Sequence, residues 1–449
     1  MEGLSRPCVP VRASVETPWE SLAAEEKRYV VQTYARPPDV VLERGEGARL
    51  WDASGKEYLD FYGGIAVNSI GHSHPHWVEA VRKAAGELQH VSNLFLTRPQ
   101  VELAKRLVES SKFADRAFFA NSGTEANEAA IKFARKFAKV RAGVDPYDAD
   151  AVREGAPGSG PGAGRGRYAT EIVSFKGSFH GRTYGALSLT YKDRYKTPFA
   201  PLVPDTAMAP YGDFAAAERL IQPGRTAAVF VEPVQGEGGV LLPPAGFLAH
   251  LRALCDEAGA LLVYDEVQVG LGRLGSLYAH EGPVALDPVS GEHVFPDLLT
   301  LAKPLAGGLP IGAMLATERV AEVMTPGDHG STFAGGPLVC TAALAALDIL
   351  ESEDTLRNVR DLGVRLKSKL REALAFSTHV KAVRGLGLLV GIELDVQATP
   401  VVDAARRKGL LVITAGAGNV IRLAPPLVIN EADVDQAVDI LAEALKEAL

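Results

Sequence analysis

Cysteine is scarce in this sequence of 449 residues, which contains only Cys8, Cys255 and Cys340. Three scattered cysteines are too few for a disulfide framework, and they favour a reduced compartment. No apolar run approaches the roughly 20 residues that a membrane-spanning helix requires, so no membrane insertion is expected. A formal net charge of −8 gives no electrostatic reason to expect nucleic acid or an anionic membrane as a partner.

Motifs for nucleotide and metal binding are also missing. The sequence has no Walker loop, and no G-x-G-x-x-G stands at a strand-to-helix junction, which disfavours nucleotide binding. His72, His74 and His76 alternate as they would along a strand. No carboxylate or cysteine set completes a metal site with them, so no metal centre is predicted.

The composition is that of an ordinary soluble globular protein, with 47% hydrophobic and 23% charged residues. The length favours more than one domain. Residues 1–15 differ from the rest, because Arg6 and Arg12 lie among Ser, Pro and Val with no acid after Glu2. This pattern is typical of the end of an organelle transit peptide. An ordinary frayed N-terminus explains it nearly as well.

The order of predicted elements indicates an α/β fold with two domains. Residues 71–336 alternate helices with short apolar strands, which predicts a large domain with a mostly parallel sheet covered by helices. Residues 16–70 contain an antiparallel meander, and together with 337–449 they form a predicted smaller α+β domain. Residues 141–167 are rich in Gly, Pro and Ala. We expect a mobile surface insertion there, without a core of its own.

Two predicted buried strands end in residues of opposite charge. The run LLVYD at 261–265 ends in Asp265, and the run LLTLA at 298–302 is followed by Lys303. Ligands of parallel sheets lie beyond the carboxyl ends of the strands, so the two residues predict a site with a fixed negative charge and an amine. The alternative for each residue alone is a structural ion pair or a helix cap. Their separation leaves room for a crossover between neighbouring strands.

The segment NSGTEANE at 121–128 follows a predicted strand and opens a helix. Backbone amides at such a helix start can bind phosphate. Simple capping by Ser122 or Thr124 is the alternative.

Six segments, taken in this order, resemble the class III (ω-amino) pyridoxal-phosphate aminotransferases. They are NSGTEANE at 121–128, SFHGRT at 178–183, EPVQGEGG at 232–239, DEVQVGLGR at 265–273, AK at 302–303 and GST at 330–332. The similarity runs from about Tyr34 to the C-terminus and is broken mainly by 141–167. It implies an aspartate-aminotransferase-like fold, pyridoxal 5'-phosphate as the cofactor, and a homodimer with shared active sites.

Two segments narrow the resemblance within the class. LDFYGGIAVN at 59–68 and AKPLAGG at 302–308 are similar to the branch that acts on acetylornithine. This implies N2-acetylornithine and 2-oxoglutarate as substrates, glutamate as a product, and a place in arginine biosynthesis. Ornithine and 4-aminobutyrate aminotransferases share the same catalytic residues and remain alternatives. A PLP aminomutase or decarboxylase and a non-enzymatic descendant are less favoured alternatives. The family also suggests a plastid, with the mitochondrial matrix or cytoplasm as alternatives.

The resemblance assigns the catalytic pair. Lys303 would hold the cofactor through its amine and then move the substrate proton. Asp265 would pair with the ring nitrogen of the cofactor.

Further residues would bind the cofactor ring and its phosphate. Phe179 and Val267 would enclose the ring, Gln268 would reach its phenolic oxygen, and Glu232 would support this shell. The phosphate would lie on Ser122, Gly123 and Thr124, with Thr332 reaching it from the neighbouring subunit.

The resemblance also names substrate-binding residues. Arg182 and Arg422 would bind carboxylates, for which the guanidinium fork is suited. Glu237 would act as a switch that pairs with Arg422 and releases it for 2-oxoglutarate. Ser331 would contact the acetylornithine substrate, and Tyr34 would either line the substrate pocket or pack structurally. His180 lies inside a motif but is assigned a structural role only.

Overall fold

The computed structural model describes residues 19–37, 39–155 and 167–449. The predicted transit-peptide segment 1–15 therefore lies outside the described residues. Across the described residues, the helices are α1 (Trp19–Tyr29), α2 (Gly63–Ala66), α3 (Pro75–Ala85), α4 (Arg98–Ser111), α5 (Gly123–Arg141), α6 (Ala149–Gly155), α7 (Tyr184–Leu189), α8 (Asp193–Lys196), α9 (Phe214–Leu220), α10 (Phe247–Ala258), α11 (Glu318–Ala321), α12 (Pro337–Leu350), α13 (Glu353–Ala373), α14 (Thr399–Arg407) and α15 (Glu431–Ala448). None of the helices in this part of the chain combines the length and apolar composition needed to cross a bilayer.

The strands form one large sheet and two small ones. They are β1 (Leu42–Glu46), β2 (Arg49–Asp52), β3 (Glu57–Asp60), β4 (Arg116–Ala120), β5 (Glu171–Phe175), β6 (Thr206–Ala209), β7 (Thr226–Val231), β8 (Leu261–Asp265), β9 (Leu298–Leu301), β10 (Gly312–Ala316), β11 (Val380–Leu386), β12 (Leu389–Leu394), β13 (Leu410–Leu411), β14 (Ile413–Ala415) and β15 (Val420–Leu423).

The large sheet has the strand order β4-β10-β9-β8-β7-β5-β6. Strands β9, β8, β7, β5 and β6 pair in parallel, and β10 alone runs antiparallel to both of its neighbours. The mostly parallel sheet predicted from the sequence is thus confirmed. Strands β8 and β9 are neighbours, so the crossover inferred from the spacing of Asp265 and Lys303 is also confirmed.

Helices cover both faces of this sheet, which explains why its central strands are apolar throughout. Along β8, Leu261 and Val263 pack into a cluster with the α5 side chains Ile131 and Phe133. Leu262 and Tyr264 of β8 face a second and larger cluster on the opposite side. A strand with two buried faces needs a continuous apolar run, because successive side chains point to opposite faces.

One of the two small sheets joins the beginning of the chain to its end. The antiparallel meander β1-β2-β3 is confirmed, and β3 pairs in parallel with β13, with Leu59 opposite Leu410. Strands β11-β12-β15-β14 form the second small sheet. Helix α13 packs against α15 and β11, whereas α12 packs against α3 and α4. The predicted boundary near residue 337 therefore falls at a helix that contacts the predicted large domain.

The structure differs from the predicted insertion at 141–167. Val144 is buried, and α6 follows with its first turn capped by the Asp148 carboxylate, which accepts N–H bonds from Asp150 and Ala151. The Tyr168 hydroxyl donates a hydrogen bond to the carbonyl of Val152 over 2.8 Å. Residues up to 155 therefore pack against the rest of the chain, and the mobility of the insertion stays a prediction. Residues 156–166 lie outside the described residues.

Candidate active site

The carboxyl end of β8 carries a carboxylate whose hydrogen bonds fix its orientation. Asp265 Oδ1 accepts the N–H of Val267 over 3.0 Å, and Oδ2 accepts hydrogen bonds from Asn127 Nδ2 and His180 Nδ1, each over 2.8 Å. Asn127 is itself held by the Thr300 hydroxyl, which donates to its Oδ1 over 2.8 Å. Asp265 therefore has one orientation, set by a loop, a helix and the neighbouring strand.

His180 takes part in this arrangement although the sequence assigned it only a structural role. Burial lowers the pKa of His180, but the hydrogen bond to Asp265 and the charge of that carboxylate outweigh burial and raise it above the ordinary value. Its Nε2 is buried without a partner among the described residues. The only sequence signal was the position of His180 between Phe179 and Gly181 in a motif at the end of a strand.

Lys303 follows β9 and lies beside Asp265, because Asp265 pairs in register with Thr300. Burial is the main cause that lowers the pKa of the Lys303 amine. The positive charge of Arg422 lowers it further, while the Asp265 carboxylate opposes the shift. A lysine with a lowered pKa has a larger fraction of neutral amine, which nucleophilic and proton-transfer chemistry both require.

The start of α5 forms another wall of the site. Ser122 is the N-cap, and its hydroxyl accepts the N–H of Glu125 over 3.3 Å. A Cβ at Gly123 would lie only 2.6 Å from a methyl group of Val267, so the helix start and the loop after β8 are in close contact. Thr124 Oγ1 lies 2.8 Å from the hydroxyl of Thr183. The backbone N–H groups of a first helical turn have no partner within the helix and are suited to an anion.

These elements enclose a cavity of about 250 Å³. It brings together most of the residues predicted for the site: Gly123, Thr124, Phe179, Arg182, Glu232, Glu237, Asp265, Val267, Gln268 and Lys303. Asn127 and His180, which the sequence did not assign, line it as well.

Five predicted site residues do not line this cavity. Ser122 and Arg422 adjoin residues that do, whereas the other three lie elsewhere in this chain. The side chain of Tyr34 is 71% exposed and does not line the cavity. Ser331 and Thr332 line a different cavity, where the Ser331 hydroxyl accepts a hydrogen bond from Asn121 Nδ2 over 2.8 Å. Because Thr332 was predicted to act on a neighbouring subunit, its position in one chain does not test that role.

Glu232 forms a buried acidic group next to His180. Burial, with a smaller contribution from the charge of Asp265, raises the pKa of Glu232 to about 7 against the opposing charge of His180. Its carboxylate accepts the N–H of Phe179 over 2.8 Å and that of Gly236 over 3.4 Å. It thereby holds in place the loop that carries Phe179.

A buried arginine forms the far side of the site. Arg422 on β15 is 2% exposed, and its Nη1 lies 3.3 Å from both Glu237 Oε2 and Gln268 Oε1. Burial lowers the pKa of Arg422, and the charge of Glu237 opposes this shift. Glu237 Oε1 also accepts a hydrogen bond from Lys192 Nζ over 2.8 Å. Sequence reasoning missed Lys192, which belongs to none of the motifs.

The second predicted arginine lies at the exposed side of the cavity. The guanidinium carbon of Arg182 is 3.5 Å from the centroid of the Tyr195 ring and 5.6 Å from that of Phe179. Stacking on aromatic rings fixes the plane of the guanidinium and leaves its edge free for a carboxylate. Tyr195 was also missed, because it lies in a short helix outside the motifs.

The groups that line the cavity suit pyridoxal 5'-phosphate. Lys303 would supply an amine for its aldehyde, Asp265 a carboxylate for its ring nitrogen, and Gly123 with Thr124 a helix start for its phosphate. Gly123 and Val267 both line this cavity, and a larger residue at position 123 would force one of them to move.

Comparison with known proteins gives a consistent result. The family model described as aminotransferase class-III matches residues 30–445. The chain is 54% identical over 418 residues to the mitochondrial acetylornithine aminotransferase of Alnus glutinosa, which covers 93% of this chain and 86% of that protein. The ornithine aminotransferase of Toxoplasma gondii superposes with a TM-score of 0.84 at 33% identity, covering 96% of each chain. The N-acetylornithine aminotransferase of Stenotrophomonas maltophilia gives a TM-score of 0.75 at 35% identity, covering 94% of this chain and 98% of the other.

Proposed function

This chain belongs to the class-III aminotransferases, which are pyridoxal-phosphate-dependent transaminases, and we propose that its amino donor is N2-acetylornithine. The reaction transfers the 5-amino group to 2-oxoglutarate and yields N-acetylglutamate 5-semialdehyde and glutamate. This reaction would place the protein in arginine biosynthesis.

The observation that carries this proposal is the high identity to the Alnus acetylornithine aminotransferase over nearly the whole chain. Overall shape does not discriminate between donors, because the ornithine aminotransferase of Toxoplasma superposes better than the Stenotrophomonas enzyme. Ornithine is therefore the second candidate donor. The two donors differ in charge, since acetylation removes the positive charge of the α-amine.

The residues of the cavity have separate tasks in this reaction. When bound, pyridoxal phosphate supplies a ring that accepts the electrons left on the substrate carbon. Asp265, oriented by Asn127 and His180, would pair with the ring nitrogen of the cofactor. Lys303 would hold the cofactor through its amine, and that amine would then move the proton at the reacting carbon.

Two arginines are available for the carboxylates of the two substrates. Arg182 stands at the exposed side of the cavity, where it can bind the α-carboxylate of an ω-amino donor. Arg422 is paired with Glu237, which suits a donor whose reacting carbon carries no carboxylate. For 2-oxoglutarate, Glu237 must release Arg422, so that the α-carboxylate next to the reacting carbon finds a cation.

A Glu237→Ala variant tests this assignment. Because the variant leaves Arg422 without its anion, we expect a faster half-reaction with glutamate and a slower one with the ω-amino donor. Single-turnover absorbance of the bound cofactor measures each half-reaction separately. Equal changes in both half-reactions would rule out a switch.

The donor is tested by comparing kcat/KM for acetylornithine, ornithine and 4-aminobutyrate with 2-oxoglutarate as the acceptor. We expect acetylornithine to be preferred by at least about tenfold, since losing one contact to a charged group costs on the order of 1.5 kcal/mol. Preference for free ornithine would overturn the proposal. The amino group should appear stoichiometrically on 2-oxoglutarate, which an aminomutase would not show.

A homodimer is part of the proposal. Leu94, Leu96 and Phe333 are 87%, 91% and 69% exposed, and Leu94 lines the same cavity as Ser331 and Thr332. A second copy of the chain covering this apolar surface would bring Thr332 to the neighbouring site. Sedimentation of the protein and of a Leu96→Asp variant tests this, with a wild-type monomer as the contrary result.

We also propose an organelle as the compartment, either the plastid or the mitochondrial matrix. The composition of residues 1–15 supports it, as does the Alnus relative, which is named as mitochondrial. A fusion of the first residues to a fluorescent reporter should locate to the organelle. A diffuse cytosolic signal would reject the proposal.

A further inference from the structure

Glu237 lies on the wall between two cavities. The inner one is the candidate active site of about 250 Å³. The outer one, of about 620 Å³, is lined by Lys192, Arg194, Gln397 and Thr399 among others. Glu237 lines both, and its backbone carbonyl accepts the N–H of Gly416 over 2.9 Å. The backbone is thus held in place, while the carboxylate has space on either side.

The two oxygens of this carboxylate face different cations. Oε2 faces Arg422 Nη1 over 3.3 Å on the inner side, and Oε1 accepts the shorter bond of 2.8 Å from Lys192 Nζ on the outer side. Arg422 is almost fully buried, whereas the side chains of Lys192 and Glu237 are each 23% exposed. One anion is therefore shared between a buried cation and a half-buried one.

Because Glu237 is shared between Arg422 and Lys192, a substrate carboxylate that enters the cavity can replace it at Arg422. A buried guanidinium needs an anion, and a carboxylate displaced from it needs a cation, because unpaired charges are costly away from water. If the incoming carboxylate pairs with Arg422, the displaced Glu237 already has its second partner in Lys192. Two neutral pairs result, and no charge is left without a partner.

We propose that Lys192 is a positioning residue that holds the Glu237 carboxylate on the outer side while a substrate carboxylate occupies Arg422. Lys192 does not line the active-site cavity, so it would act through Glu237, to which it donates a hydrogen bond. This position of Glu237 lets 2-oxoglutarate bind and accept the amino group even when its concentration is low. The inference rests on the proposed use of Arg422 for the carboxylate of 2-oxoglutarate.

The test compares Lys192→Met and Lys192→Gln with Lys192→Arg, which keeps the charge. Without a cation at this position, Glu237 should stay on Arg422. We therefore expect the apparent Kd for 2-oxoglutarate in single turnover to rise on the order of tenfold, the equivalent of one charged hydrogen bond. The half-reaction of the ω-amino donor should change less than about twofold, because Glu237 stays paired with Arg422 in that half-reaction. Lys192→Arg should restore most of the affinity for 2-oxoglutarate.

Lys196 provides a matched control in the same short helical segment. Its side chain is 20% exposed and lies 3.5 Å from the exposed Asp193, away from Glu237. Lys196→Met should leave both half-reactions unchanged. Equal slowing of both half-reactions in the Lys192 variants, unchanged 2-oxoglutarate affinity, or no rescue by arginine would each overturn the proposal. The half-reaction of glutamate and 2-oxoglutarate can be measured whichever ω-amine is the donor, so failure of the acetylornithine assignment is seen separately.

Discussion

The contact between Gly123 and Val267 allows a quantitative test of the cofactor site. In a Gly123→Ala variant the new Cβ would lie 2.6 and 2.8 Å from the two methyl groups of Val267 and 3.3 Å from its Cβ. Carbon atoms at such distances repel, so either the start of α5 or the Val267 side chain must move. Both line the cavity, so the movement would alter the place proposed for the cofactor phosphate or ring.

Overpacking of this kind costs about 1–3 kcal/mol. Cofactor affinity should therefore fall by a factor between about 5 and about 150. A Val267→Ala change removes both methyl groups that cause the overlap. In a double variant the alanine at 123 should thus cost much less than it does alone, which corresponds to a coupling of about 1 kcal/mol or more.

The assay is titration of the apoenzyme with pyridoxal phosphate, followed by absorbance, for the wild type, both single variants and the double variant. Thermal unfolding of the four apoenzymes serves as the control for stability. An equal loss of affinity from Gly123→Ala with and without Val267→Ala would refute the steric argument. Unchanged affinity of the single variant would do the same.

Two further predictions concern buried polar groups. Asn127→Ala removes one donor to Asp265 and leaves the Thr300 hydroxyl unpaired. The free energy of unfolding, measured in urea, should therefore fall by about 3 kcal/mol, against about 1 kcal/mol for Thr300→Val. Equal losses in the two variants would argue against this hydrogen-bond network. His280, whose Nδ1 lies 2.9 Å from Glu266, has a pKa lowered by burial but raised overall above 6.5 by that carboxylate. Its raised pKa stabilises the fold fully below pH 6.5, and this contribution is lost as the pH rises through the folded-state value. The Tm difference between wild type and His280→Gln should accordingly shrink at alkaline pH, and a difference that grows would contradict the assignment.

The sequence predicts best what depends on a local pattern. The apolar runs of β8 and β9 could be identified because a strand buried on both faces has few polar positions, and their ends located Asp265 and Lys303 correctly. The strand β6 (Thr206–Ala209) was missed, since it has only four residues and only Thr206 among them is β-branched, although Pro204 and Pro210 flank it. The short helix α6 was missed because its surroundings in sequence are dominated by Gly and Pro.

Contacts between distant segments could not be predicted from single residues. The roles of His180 and Lys192 depend on partners that are 85 and 45 residues away in the chain. Neither residue differs from an ordinary loop histidine or a surface lysine until the fold brings it to its carboxylate. Tyr34 and Thr332 illustrate the opposite limit, because their predicted roles came from a family resemblance and neither residue lines the candidate active-site cavity in this chain.

The pairing of β3 with β13 has a consequence for how the protein is made. Leu59 cannot reach Leu410 until about 350 further residues have left the ribosome, which takes roughly 20–70 s at about 5–20 residues per second. During that interval the β3 edge of the β1-β2-β3 meander has no partner strand. The aromatic side chains of Tyr58 and Phe61, which are buried in the complete fold, are then exposed to solvent. Nascent chains of this protein should therefore depend on chaperones until synthesis is almost complete, and translation stalled before residue 410 should leave an aggregation-prone product.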